Sequence, residues 1–169
     1  RPFHYRQQRQ PIPLYGNQET IETLYARFGY IFDQDEISPD IYRSFASPQI
    51  IEGPFEVGDI LVQPFVQGHG YSTSLWYRFD KIAYSTDVVE LDDAAFRALE
   101  GIEVWIVDCL SLDPRPTHSH LSKTLEWIKR VQPKKAYLTH MANLLDYEEL
   151  LKLLPPGVEP AYDGLVINL

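Results

Sequence analysis

One cysteine among 169 residues rules out an internal disulfide framework. Cys109 therefore suits a reducing compartment, and a cytoplasmic location is expected. The run before it, Val104-Trp105-Ile106-Val107, is apolar, which predicts a buried, inert thiol, because a reactive one needs an electropositive and accessible setting. Positive charge is scarce: 15 Lys and Arg stand against 24 Asp and Glu, for a formal charge of −9. That field repels a phosphate backbone and excludes extended DNA or RNA as a partner, while a bound cation would still let a small phosphate approach. No apolar run nears the ~20 residues of a membrane span, so no membrane partner is expected. A signal-peptide pattern is missing as well, and the opening Arg1-Pro2-Phe3, without Met, reads as the middle of a longer protein.

What is present suits a folded domain. Hydrophobic residues make up 44% and aromatics 13% of the sequence, a globular composition in a chain long enough to bury a core. Residues 1–48 read as a lead-in, a helix and a surface excursion. The lead-in is basic and Pro-rich and ends in Ile12-Pro13-Leu14-Tyr15; Asn17 then caps a helix over roughly Glu19 to Phe28. Residues 29–48 lack periodicity and are expected to form a surface segment, a lid or a partner-binding stretch. Residues 49–169 read as the main domain. Ile60 to Val66 and Ser74 to Phe79 read as strands, with Asp80-Lys81 as a tight turn into Ile82 to Asp87. A helix capped by Asp92 or Asp93, the buried-type strand Val104 to Asp108 and a helix opened by Ser119 or His120 follow. Ala136 to Thr139 is a short strand, Tyr147 to Leu154 a helix, and Leu165 to Leu169 a closing strand. Strands alternating with helices indicate an α/β arrangement.

Three of these strand ends carry residues that can ligate a metal: His69, Asp87 and His140. Imidazoles and a carboxylate converging at a sheet edge suit zinc or manganese. A fourth group, His120, stands at a helix start, where backbone N–H groups favour an anion.

The segments QGHG, AYSTDV, HSHLS, AYLTHM and AYDGLVINL, in this order, resemble the C-terminal half of the metallo-β-lactamase superfamily. They are most like the branch of phosphoribosyl cyclic phosphate phosphodiesterases, with the long-form tRNA-processing nucleases more distant. The likeness runs over about residues 54–169, and RPF…PIPLYG resembles the segment that follows that family's first metal motif. It implies an αββα sandwich of which this chain is the C-terminal half, with part of the N-terminal half missing. It also implies a metal-dependent hydrolase, a phosphodiesterase for small cyclic or nucleotide-like phosphodiesters, working with two divalent ions. His69 resembles a ligand of the first metal, Asp87 the bridging carboxylate and His140 the last ligand of the second metal. His120 resembles a non-ligand histidine near the scissile phosphate, a catalytic general acid or phosphate contact. Asp163 resembles a carboxylate that orients a ligating histidine, although its other reading, an Asp-Gly turn, stands beside that one. His118 fits no family position and is expected to be an exposed loop residue. The signature His-x-His-x-Asp-His is not in the chain: after His118-Ser119-His120 come Leu121 and Ser122. Partial or no metal occupancy is therefore expected of these residues alone, with the signature upstream of Arg1. Two other readings remain: hydrolysis of another ester or thioester on the same scaffold, and an incomplete half-domain that only binds or self-associates, as a homodimer, through an exposed interface.

Overall fold

The Asn17 side chain accepts the N–H of Thr20 at 2.8 Å, and with that cap the chain enters helix α1, Gln18–Phe28. In the computed structural model, which describes residues 11–33 and 44–168, this helix lies between two paired strands. They are β1, Ile12–Gly16, and β2, Ala46–Ile50, joined in parallel from Ile12 opposite Ala46 to Gly16 opposite Ile50. A parallel pair needs a long crossover, and α1 with the following 3-10 turn, Gly29–Ile31, begins it. The expected surface excursion over 29–48 is thus corrected at its end, where Ala46–Ile50 is a strand because β1 offers it a free edge. The lid expectation for 34–43 lies outside the described residues. The chain divides into two compact units, Arg1–Pro54 and Phe55–Leu169.

In the second unit the described strands form one seven-stranded sheet in chain order. They are β3 (Phe55–Val57), β4 (Ile60–His69), β5 (Ser72–Phe79), β6 (Ile82–Ser85), β7 (Val104–Asp108), β8 (Lys135–Thr139) and β9 (Val158–Pro160). The β3 to β6 part is antiparallel and is built from two-residue turns. The first turn residue is left-handed in each: Gly58, Gly70 and Asp80 have φ of 61°, 68° and 51°, as tight hairpins require. From β6 to β9 the strands run parallel, each connection carrying a helix: α2 (Asp93–Ala98), α3 (Leu121–Val131) and α4 (Tyr147–Leu153). Asp92 and Asp146 cap α2 and α4 through the N–H groups of Ala95 and Glu149.

The core lies between sheet and helices. Trp105 on β7 is flanked across the sheet by Ala83 and Ala136, so two small neighbours leave room for one indole. Its Nε1–H donates to Ser85 Oγ at 3.0 Å. Phe65 stacks on Trp76 at 4.3 Å between centroids. Both indoles are fully buried; at about 150–250 Å² each this contributes roughly 4–6 kcal/mol per ring as an upper bound. Phe96, Trp127, Ile128 and Leu150 cover them from the helices. Among the described residues no helix is long and apolar enough to cross a membrane.

Two expected strand ends need correction. The strand before Asp87 stops at Ser85, and Asp87 stands two residues beyond it. The closing strand is Val158–Pro160, not a stretch starting at Leu165, and residues 165–168 carry no strand. The outer edge of β8 is already taken, since Ala136 donates to Gly157 O and Ala161 to Leu138 O, each at 2.8 Å. Leu165 N–H turns back onto Tyr162 O instead.

Candidate metal centre

Strand direction decides which residues meet. β4 is antiparallel to β5, and β5 to β6, so β4 runs the same way as β6, β7 and β8. The carboxyl ends of all four therefore lie at one end of the sheet, where α/β proteins place their ligands. His69 ends β4, Asp87 follows β6, Asp108 ends β7 and His140 follows β8. Asp87 and His140 both have left-handed backbones, with φ of 55° and 61°. Such a conformation costs about 1–3 kcal/mol in a non-glycine residue and tends to collect at functional sites.

The loop between β7 and α3 brings His118 into the same place. His118 Nδ1 donates to Asp108 Oδ2 at 3.0 Å, and the Val88 N–H donates to that oxygen at 3.0 Å. The His118 ring lies edge-on between those of His69 and His140, with centroids 4.8 Å and 4.7 Å away. His140 Nδ1 is 3.7 Å from Asp87 Oδ1 and 3.8 Å from Asp108 Oδ2. His69 Nδ1 lies 2.8 Å from the Thr117 carbonyl. A carbonyl only accepts, so Nδ1 carries the hydrogen and Nε2 keeps its lone pair. Gly70 permits this approach: a Cβ there would stand 2.6 Å from Pro116 O and 2.8 Å from Thr117 Cγ2.

Ligand atoms of His69, Asp87 and His118 lie within 4.8 Å of one another, and those of Asp108, His118 and His140 do likewise. The first set fits a divalent ion: mixed imidazole and carboxylate donors suit zinc or manganese, and with Nδ1 of His69 on the Thr117 carbonyl its Nε2 is unused. In the second set Asp108 Oδ2 already accepts two N–H groups, from His118 and Val88, so that oxygen holds His118 in place. The Asp108 Oδ1 is buried with no partner among the described residues, an acceptor that a cation or donor at the site would satisfy. Burial pushes the Asp108 carboxyl above its ordinary value, against the opposing pull of its bonds from His118 and Val88 and the nearby charge of His118 and His140. Burial, then the Asp108 charge, push the Cys109 thiol up to about 12, which keeps it protonated and inert, in line with its apolar neighbours.

His118 is thus not the exposed loop residue that the sequence suggests: its side chain is 15% exposed, because Asp108 draws it inward. The sequence signal for Asp108 was available, a charge closing the apolar run Val104 to Val107. For the Thr117 carbonyl there was none. His120 is half-buried at the N-cap of α3, makes no side-chain capping bond and belongs to neither ligand set. Asp163 is exposed in a turn before Gly164, whose φ is 88°.

The model of the Beta-lactamase superfamily domain matches residues 1–141. The chain belongs to the beta-lactamase superfamily. Its α/β sheet and helices are those of the metallo-β-lactamase fold. A diphosphatase of the PhnP family is 30% identical and aligns with a TM-score of 0.82, over 92% of this chain and 57% of that one. Zinc-bound PqqB from Methylobacterium extorquens is 14% identical with a TM-score of 0.70, over 95% of this chain and 66% of that one, a likeness of fold. An octanoyltransferase of Porphyromonas gingivalis (strain ATCC BAA-308 / W83) is 23% identical over 158 residues, 91% of this chain and 32% of that protein. This superfamily member therefore spans about a third of the curated relative it matches.

Proposed function

We propose that this chain carries one side of the metal site of a metal-dependent hydrolase that cleaves small cyclic or nucleotide-like phosphodiesters. The observation behind the reading is the convergence of His69, Asp87 and His118 donor atoms within 4.8 Å, the first two from the carboxyl ends of β4 and β6 and the third from the loop after β7. The likeness to a PhnP-family diphosphatase supports the phosphoryl substrate, and the charge of −9 disfavours an extended nucleic acid.

In this reading His69, Asp87 and His140 are this chain's share of the ligands that would hold two divalent ions, zinc or manganese. Bound ions would supply Lewis acidity toward a phosphoryl oxygen and offset its charge. Asp87 offers two carboxylate oxygens, enough to serve two cations, and its side chain is 48% exposed, so both oxygens can be reached. Asp108 orients His118: with Nδ1–H engaged, only Nε2 is left to face a substrate, where the doubly protonated ring can give its Nε2 proton to the leaving oxygen or touch the phosphate. His120 is the other candidate for that role. His118 belongs to both ligand sets and His120 to neither, which favours His118.

Metal content by mass spectrometry, with turnover of bis-p-nitrophenyl phosphate, tests the reading. In the intact protein Asp87→Ala should lose binuclear binding, whereas His118→Ala should keep its metal and slow turnover. Retained metal in Asp87→Ala would refute the ligand role; metal loss in His118→Ala would make that histidine a ligand rather than an acid. A drop in turnover confined to His120→Ala would transfer the acid role to it. A second reading, hydrolysis of another ester or thioester, draws on the octanoyltransferase likeness, and preference for an acyl thioester in the same assay would decide for it.

A further inference from the structure

We propose that Gln67 and Ser74 are positioning residues for Asp87, holding its backbone in the left-handed conformation that aims its carboxylate. This rests on the reading of Asp87 as a metal ligand. The two residues are directly paired across β4 and β5, and Gln67 is 3% exposed. Gln67 Nε2 donates to the Thr86 carbonyl at 2.5 Å and to Ser74 Oγ at 2.8 Å. Ser74 Oγ donates to the Asp87 carbonyl at 2.7 Å.

The direction of every bond in this chain is forced. The Thr86 carbonyl can only accept, so the amide must present its NH2 there. The Asp87 carbonyl can also only accept, so the single Ser74 hydroxyl hydrogen goes to it and the Ser74 oxygen receives the Gln67 N–H. The consequence for Asp87 is geometric. Its φ and ψ relate two peptide planes, one carrying Thr86 O and the other carrying Asp87 O and Val88 N–H. Gln67 grips the first plane. Ser74 and Asp108 grip the second from both sides, since Val88 N–H donates to Asp108 Oδ2. With both planes held, the φ of 55° at Asp87 is fixed by its neighbours in a region that non-glycine residues seldom occupy. The side chain follows the backbone, so this clamp sets where the carboxylate points.

Competition titration of the protein with a chromophoric chelator, together with the cobalt(II) absorption spectrum, tests the proposal. Ser74→Ala is expected to weaken the metal that uses Asp87 by about 10- to 100-fold, the usual effect of losing an outer partner, and to change the cobalt spectrum. Ser74→Thr keeps the hydroxyl and should restore both. Gln67→Glu, which sets a carboxylate against the Thr86 carbonyl, should weaken the same metal. A general loss of packing would lower thermal stability in Ser74→Ala and Ser74→Thr alike, without the rescue of affinity. Wild-type affinity in Ser74→Ala, or equal weakening in Ser74→Thr, overturns the positioning role while a metal-deficient Asp87→Ala still upholds the ligand reading. Wild-type affinity in Asp87→Ala overturns both.

Discussion

Replacing Asp108 separates two jobs that one buried carboxylate performs. Its Oδ2 accepts from Val88 N–H, where Val88 is fully buried, and from His118 Nδ1, whose side chain is 15% exposed. Asp108→Ala strands the first donor away from water, at about 1–3 kcal/mol. The second donor can recover part of its bonding from solvent, so it adds about 0.5–1.5 kcal/mol. Against this, the mutant is relieved of a carboxyl whose Oδ1 has no partner among the described residues and whose ionisation burial opposes, a relief of about 1 kcal/mol. A net destabilisation of about 0.5–3.5 kcal/mol follows, read from the urea midpoint of metal-free protein. Asp108→Asn keeps an acceptor for Val88 and should be milder in stability. It replaces a charge-assisted bond to His118 with a neutral one of roughly half the strength, so His118 should lose its single tautomer by 15N NMR and turnover should fall. An Asp108→Ala protein as stable as wild type would refute the claim that this carboxylate holds the Val88 segment.

Gly70→Ala should destabilise the β4–β5 turn by at least about 1–2 kcal/mol from the left-handed backbone alone, and more from its contacts with Pro116 and Thr117. Because that turn carries the Thr117 contact to His69, metal affinity should fall with stability, and an unchanged affinity by titration would count against the contact. Lys134 first, then Lys81, hold the Glu103 carboxyl down to about 2 from an ordinary 4.5, at N–O distances of 2.7 Å and 2.6 Å. A folded-state value lowered in this way stabilises the protein above about 4.5 and loses that contribution as pH falls toward 2. The melting temperature of Glu103→Gln should therefore fall less steeply than wild type over that acid range; parallel pH profiles would refute the ion pair.

Patterns with short range were legible in the residue order. The hairpin turn at Asp80-Lys81, the caps at Asn17 and Asp92, the apolar strand Val104 to Val107 and the helix from Leu121 follow from local preferences of turn, cap and periodicity. So did the position of His69, Asp87 and His140 at or just past strand ends. The short strand Val158–Pro160 was not legible, since Pro155-Pro156-Gly157 reads as a stop and only a free β8 edge makes the next three residues a strand. His118 was misread for the same reason: a histidine in a loop looks solvated until the Asp108 carboxylate, ten residues earlier in the chain, is folded against it. The left-handed backbone of Asp87 could not be anticipated either. Aspartate tolerates it better than most residues, but nothing in Ser85-Thr86-Asp87 requires it, and it depends on Gln67, Ser74 and Asp108 arriving from three other strands. Residue types and spacing thus determined which groups stood at the sheet end. Their order of contact, with His118 at the centre and Asp108 beneath it, came from hydrogen bonds between segments that no local preference encodes.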